Sequence, residues 1–147
     1  MATLTPHFDI KDICNGEQVP AEIMANAKWF AETVLEPARV GFGHPIKINS
    51  WYRSPEKNAN TVGASKKSFH MTANATDCDA IGATNKDLLE YFFENKDTLV
   101  FDKVIAEHWD GKDYSWIHIQ ARPETLRKEF YIASGTRAKP VYTPYNG

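Results

Sequence analysis

The chain has 147 residues, 42% hydrophobic and 24% charged, with a formal net charge of −2. That length suits one domain, able to bury roughly 68 to 70% of the surface its extended chain would expose. The near-neutral balance offers no electrostatic attraction to nucleic acid or an anionic membrane, and no stretch approaches the roughly 18 apolar residues of a membrane span.

Through Gln18 the sequence is polar and irregular, with Phe8 and Ile10 as its anchors. It holds no basic stretch leading into an apolar run, so no secretory signal is expected. The two cysteines, Cys14 and Cys78, are too few and too far apart for a disulfide framework or a thiolate zinc site, and Cys78 reads as a small buried filler. From Pro20 to about Glu36, Ile23, Ala27, Phe30 and Val34 recur at helical spacing and predict a helix packed on a sheet, with Trp29 as packing. Residues 41–45, GFGHP, carry turn chemistry, and His44 reads as a loop histidine. In IKINSWYR, residues 46–53, Ile46, Ile48 and Ser50 alternate with Lys47, Asn49 and Trp51, which predicts a half-buried strand with Arg53 held at its end.

Residues 56–69 read as a loop with a short helical turn. There follows SFHMTANATDCD, in which His70 precedes Asp77 by seven residues and small side chains fill the gap. Asn85 to Asn95 places Leu88, Leu89, Phe92 and Phe93 on one face behind a Thr84 or Asn85 cap, predicting a second helix. Val100–Glu107 and Trp116–Gln120 read as strands joined through Asp110-Gly111. With Glu107 opposite Trp116, Glu107 and His118 share a face as diagonal neighbours roughly 7 to 8 Å apart. A one-residue slip would drive Glu107 into the face of Ile117 and Ile119, so burial cost favours the first register. A short helix after Pro123, carrying Leu126 and Phe130, and a polar tail complete the expected domain, residues 1–147.

Two imidazoles and one carboxylate, His70, His118 and Asp77, offer the protein ligand set expected of a catalytic zinc with an open position for water. Such a centre needs a base, for which Glu107 is the first candidate and Asp113 and His108 the alternatives. Arg53 can stabilise an oxyanion or grip a substrate carboxylate, Ser65 and Ser68 can bond the substrate, and Trp116 can wall the cleft. Singly, each has an ordinary reading: Arg53 as a surface ion-pair partner, Asp77 as a loop cap, Glu107 as a solvated strand end, His118 as a strand histidine, Trp116 as packing.

The combination of SWYRSPEKN (50–58), VGASKKSFHMTANATD (62–77), FDKVIAE (101–107) and WIHI (116–119) resembles the M15-type zinc D-Ala-D-Ala carboxypeptidase family of peptidoglycan peptidases, in its phage endolysin-like branch. Ser68, His70, Ala75 and Asp77 fit that family's Ser-x-His and Ala-x-Asp signature, and the likeness spans about residues 8–121. The resemblance implies an α+β fold with a small antiparallel sheet flanked by helices, shared with the zinc domain of Hedgehog signalling proteins. It also implies zinc ligands His70, Asp77 and His118, a catalytic carboxylate at Glu107 and a substrate-facing Arg53. Two departures stand out. Ala73 replaces the usual Gly, so a backbone outside positive φ is expected there. Ser115 stands where several relatives place an acid, and the phage-type branch is similar in placing a Glu at the end of the preceding strand.

The expected protein is a monomeric zinc peptidase cutting a peptide bond in peptidoglycan, as a D-Ala-D-Ala carboxypeptidase or a stem or cross-link endopeptidase. It would be a phage or prophage lysis enzyme, held in the host cytoplasm before release or carried on the virion. The alternative is a non-catalytic, zinc-stabilised module that binds a wall peptide or a protein; a retained acid at Glu107 separates the two.

Overall fold

The computed structural model describes residues 3–14, 18–61, 68–136 and 138–147. Strands β1 (Thr3–Thr5) and β2 (Phe8–Asp9) form a small antiparallel pair that leads into α1 (Ile10–Cys14). Phe8 and Ile13 are buried, whereas Ile10, the anchor expected from sequence, is only half-buried.

A long helical run follows as α2 (Ala21–Phe30), a π segment (Ala31–Leu35) and α3 (Glu36–Phe42), beyond the expected end at Glu36. Pro37 lacks an N–H, and its ring clashes with a carbonyl four residues back in a regular helix. The π segment takes up that conflict: the Glu36 N–H donates to Ala31 O, five residues back. The run continues until Gly43, whose left-handed backbone (φ 79°) caps it with an N–H to Arg39 O. Ala27, Phe30, Val34, Leu35 and Ala38 form its buried face.

The main sheet contains β3 (Ile46–Ser50), β4 (Ala75–Ala80), β5 (Lys103–Trp109), β6 (Tyr114–Gln120), β7 (Glu129–Gly135) and β8 (Pro140–Pro144), in the spatial order β3-β4-β6-β5-β7-β8. All pairings are antiparallel except β5 with β7. The molecule is thus α+β, with one small antiparallel pair and a larger mixed sheet. The short helix expected after Pro123 is absent: residues 122–125 make a turn bridged between Arg122 and Thr125, and Phe130 lies on β7. Its Leu126/Phe130 spacing imitates a helix, but Phe130 packs on Phe93 and Phe101, with ring centroids 5.1 and 5.2 Å away.

After the short helix α4 (Pro55–Ala59), helix α5 (Asn85–Glu94) starts with a capping box in which Thr84 Oγ1 accepts from the Asp87 N–H and Asp87 accepts from the Thr84 N–H. Leu88, Leu89 and Phe92 enter the core with Phe101, Val104, Ala106, Ile117 and Ile119, each 0 or 1% exposed. Phe93 turns away to Phe130 and Tyr145. Burial on this scale, worth roughly 1.5 to 3 kcal/mol per large side chain, fixes which face of β4, β5 and β6 looks inward. The residues that alternate with the inward set, among them Asp77, Glu107 and His118, share the opposite face.

Candidate metal centre

A single 3₁₀ turn, Phe69–Thr72, delivers His70. Ser68 caps it, its Oγ accepting from the His70 N–H at 3.2 Å. Arg122 closes over it, the guanidinium 3.8 Å from the Phe69 ring centroid. The turn ends at Ala73, whose φ of 61° is left-handed, contrary to the expectation for an alanine at that position. Local bonds hold it there: the Ala73 N–H donates to His70 O at 3.2 Å, and its carbonyl accepts from Trp51 Nε1 at 2.9 Å.

Buried His70 donates from Nδ1 to Trp51 O at 2.7 Å, since a carbonyl can only accept. Its Nε2 lone pair therefore faces Asp77 Oδ2, 3.3 Å away. Asp77 sits on β4 with Ser50 and His118 as its cross-strand partners. Its Oδ1 lies 3.0 Å from His118 Nδ1, and His118 Nε2 lies 2.8 Å from Gln120 Oε1, to which it donates. One ligand atom from each of His70, Asp77 and His118 falls within 4.8 Å of the other two.

In these tautomers two imidazole lone pairs converge on a carboxylate with no hydrogen between them, an arrangement that is repulsive without a cation. Protons supply one remedy: burial opposes protonation of His118, yet Asp77, Gln120 and Glu107 together raise its pKa above the ordinary value. Burial likewise opposes ionisation of Asp77, but His70 and His118 outweigh it and hold the carboxyl far below its usual range. A divalent ion is the other remedy, and two neutral imidazoles with one carboxylate are the ligand set of an open zinc site. The residues present fit the metal.

Glu107 pairs with Trp116 and Ile105 with His118, the register expected from sequence, so Glu107 stands diagonal to His118. Burial, and then the charge of Asp77, push its carboxyl up to about 7 against the opposing pull of His118. Of the alternatives, Asp113 is committed elsewhere: its two oxygens accept the Asn85 and Lys86 N–H groups at the start of α5. His108, with a positive φ of 55°, lays its ring against Trp116 at 5.3 Å.

Arg53 lies three residues past the end of β3 rather than on it, its backbone N–H donating to His70 O. Its Nη1 donates to Asn58 Oδ1 at 3.0 Å, which leaves Nη2 3.8 Å from Asp77 Oδ2. Beyond it opens a cavity of about 320 Å³ whose lining includes Lys11, Asn49, Arg53 and Lys57. Ser65 lies outside the described residues. Cys78 is buried on the core face, its thiol donating to Ile117 O, and burial pushes its pKa up. His44 packs edge-on against Phe42 as a loop histidine.

Residues 7–120 match the model of the family described as Peptidase M15. The chain belongs to the Peptidase M15 family. Membership makes it a metallopeptidase, of a family that is typically zinc-dependent, and the chain brings together a His70-Asp77-His118 group that could hold such an ion. No curated protein matches the chain. Sequence reasoning did not single out Gln120, although period-2 alternation puts it on the face of His118. Tyr142 also escaped it: one row of cross-strand partners runs Trp116, Glu107, Ala133, Tyr142. Burial first, and then the charges of Glu107 and Asp77, raise that phenol's pKa.

Proposed function

We propose that this M15 metallopeptidase hydrolyses a peptide bond of bacterial peptidoglycan, in a stem or cross-link, with His70 Nε2, Asp77 and His118 Nδ1 as zinc ligands and Glu107 as base. The observation that carries the reading is the acid retained on the ligand face: a half-buried Glu107 at the diagonal of His118, its carboxyl near 7, is poised to exchange a proton at neutral pH. When bound, zinc would polarise a substrate carbonyl and lower the pKa of water. Glu107 takes the proton of the attacking water and returns it to the leaving amine. Arg53, aimed by Asn58, offers Nη2 to the developing oxyanion. The cavity beside Arg53, with Lys11, Lys57 and the acidic Asp12 in its wall, suits a polar arm of a wall peptide. Ser68 supports the His70 turn as an acceptor and could offer its O–H to a substrate carbonyl, while Trp116 walls the cleft.

A role in phage or prophage lysis, as a monomer released to the wall from the host cytoplasm, is the setting we propose for this chemistry. The test is digestion of purified peptidoglycan in zinc buffer by wild type, Glu107→Ala and His70→Ala, with mass spectrometry of the products. Wild type should release muropeptides whose new termini name the scissile bond, and both variants should release almost none. Wild type that binds zinc and wall peptides but cuts nothing would put the binding-module reading in its place.

A further inference from the structure

The ligand His118 stands at the end of a chain of polar contacts. Its Nε2–H meets Gln120 Oε1 at 2.8 Å, and Gln120 Nε2 donates to Asp102 Oδ2 at 2.9 Å. Asp102, 0% exposed, also accepts from Arg127: Nε to Oδ1 at 2.8 Å, Nη2 to Oδ2 at 2.8 Å, and the backbone N–H to Oδ1 at 2.9 Å. Each link has one possible polarity. Arg127 can only donate, so it holds Asp102 ionised, and a carboxylate can only accept. The Gln120 amide must then turn its NH₂ to Asp102 and its oxygen to His118. That oxygen demands a hydrogen on Nε2, which leaves Nδ1 bare toward Asp77. Without the chain, neutral His118 would place its hydrogen on Nδ1, bonded to Asp77, and block the ligand atom.

We infer that Gln120, Asp102 and Arg127 are positioning residues that fix the tautomer of His118 and thereby raise the affinity of the centre for its metal. Arg127 lies past the matched span of 7–120, in the segment that carries the chain from β6 to β7. The last link of a metal ligand's support thus comes from outside the part of the chain that matches the family. This rests on the zinc reading above, and its tests separate the two.

Gln120→Leu keeps the size and removes both polar links, leaving Asp102 to Arg127. Two readouts decide: zinc affinity by competition with a chromophoric chelator, and the imidazole ¹⁵N shifts of His118 in zinc-free protein above its titration. Wild type should show the Nε2–H tautomer. Gln120→Leu should show Nδ1–H and bind zinc roughly 10- to 100-fold more weakly. Asp102→Asn, a milder change that frees the amide of Gln120 to flip, should mix the tautomers and serves if the leucine variant does not fold. The double variant Asp102→Asn/Gln120→Glu rebuilds the polarity, since a carboxylate at 120 can only accept, and should recover affinity to within a few-fold of wild type. Unchanged tautomer and affinity in Gln120→Leu, or in Asp102→Asn where that variant is the one read, overturns the inference, as does a double variant that folds yet shows no recovery. Wild type with the expected tautomer but no zinc binding overturns the metal reading instead.

Discussion

Burial, and then the charge of Asp77, raise the Glu107 carboxyl to about 7, so that it exchanges a proton around neutral pH. A divalent cation at the neighbouring ligands favours the ionised form and draws that value down. The acid limb of kcat/KM should therefore fall between the ordinary glutamate value and about 7, activity rising as the base ionises. Glu107→Gln should lose roughly 10²- to 10⁴-fold in kcat, lose that limb, and keep wild-type zinc content. A variant that retains the limb would move the role of base to another group. His108 would be next, since Asp113 spends both oxygens on α5.

The turn that presents His70 stores strain at Ala73. A left-handed alanine costs roughly 1 to 2 kcal/mol, while the buried methyl returns about 0.8 kcal/mol. Ala73→Gly should raise the stability of the zinc-free protein by less than about 1 kcal/mol, read as a rise of a few degrees in Tm at most. A fall would show that methyl packing, together with the entropy of a new glycine, outweighs the strain. Elements defined by local signals were legible in the sequence: α5 through its capping residues, and the β5–β6 register because a slip would bury Glu107. Elements defined by distant partners were not. Pro37 argues for a helix end until a π segment absorbs it, and β7 is a strand because Lys103 to Glu107 pair with Glu129 to Ala133, a fact no window around residues 126–130 contains. The His70-Asp77-His118 group was legible because His-x₆-Asp and an aromatic-flanked strand histidine are chemical patterns. The Trp51 carbonyl and the Asp102–Arg127 pair were hidden because a backbone acceptor has no letter and a buried ion pair looks like two surface charges.

At the scale of the whole molecule, the group joins a loop turn, β4 and β6, so a cation held there should stabilise the fold when bound. At a zinc concentration about a thousandfold above Kd the gain is about 4 kcal/mol, roughly 10 °C in Tm for a chain of this size. Its dependence on pH has a definite sign. The folded pKa of His118 is raised above the ordinary histidine value, so in zinc-free protein this group stabilises the fold at low pH and loses that effect as pH rises through the folded pKa. A proton on Nδ1 excludes the metal, so the increment from zinc runs the other way, absent at low pH and growing as His118 is deprotonated. Asp77, depressed far below its usual range, stays ionised across the whole interval and does not move the balance. Melting curves with zinc and with chelator should accordingly converge at roughly pH 5 and separate progressively toward roughly pH 8. A gap that stays constant over that interval would mean that the bound ion does not compete with protons on His118, and would place the metal away from Nδ1.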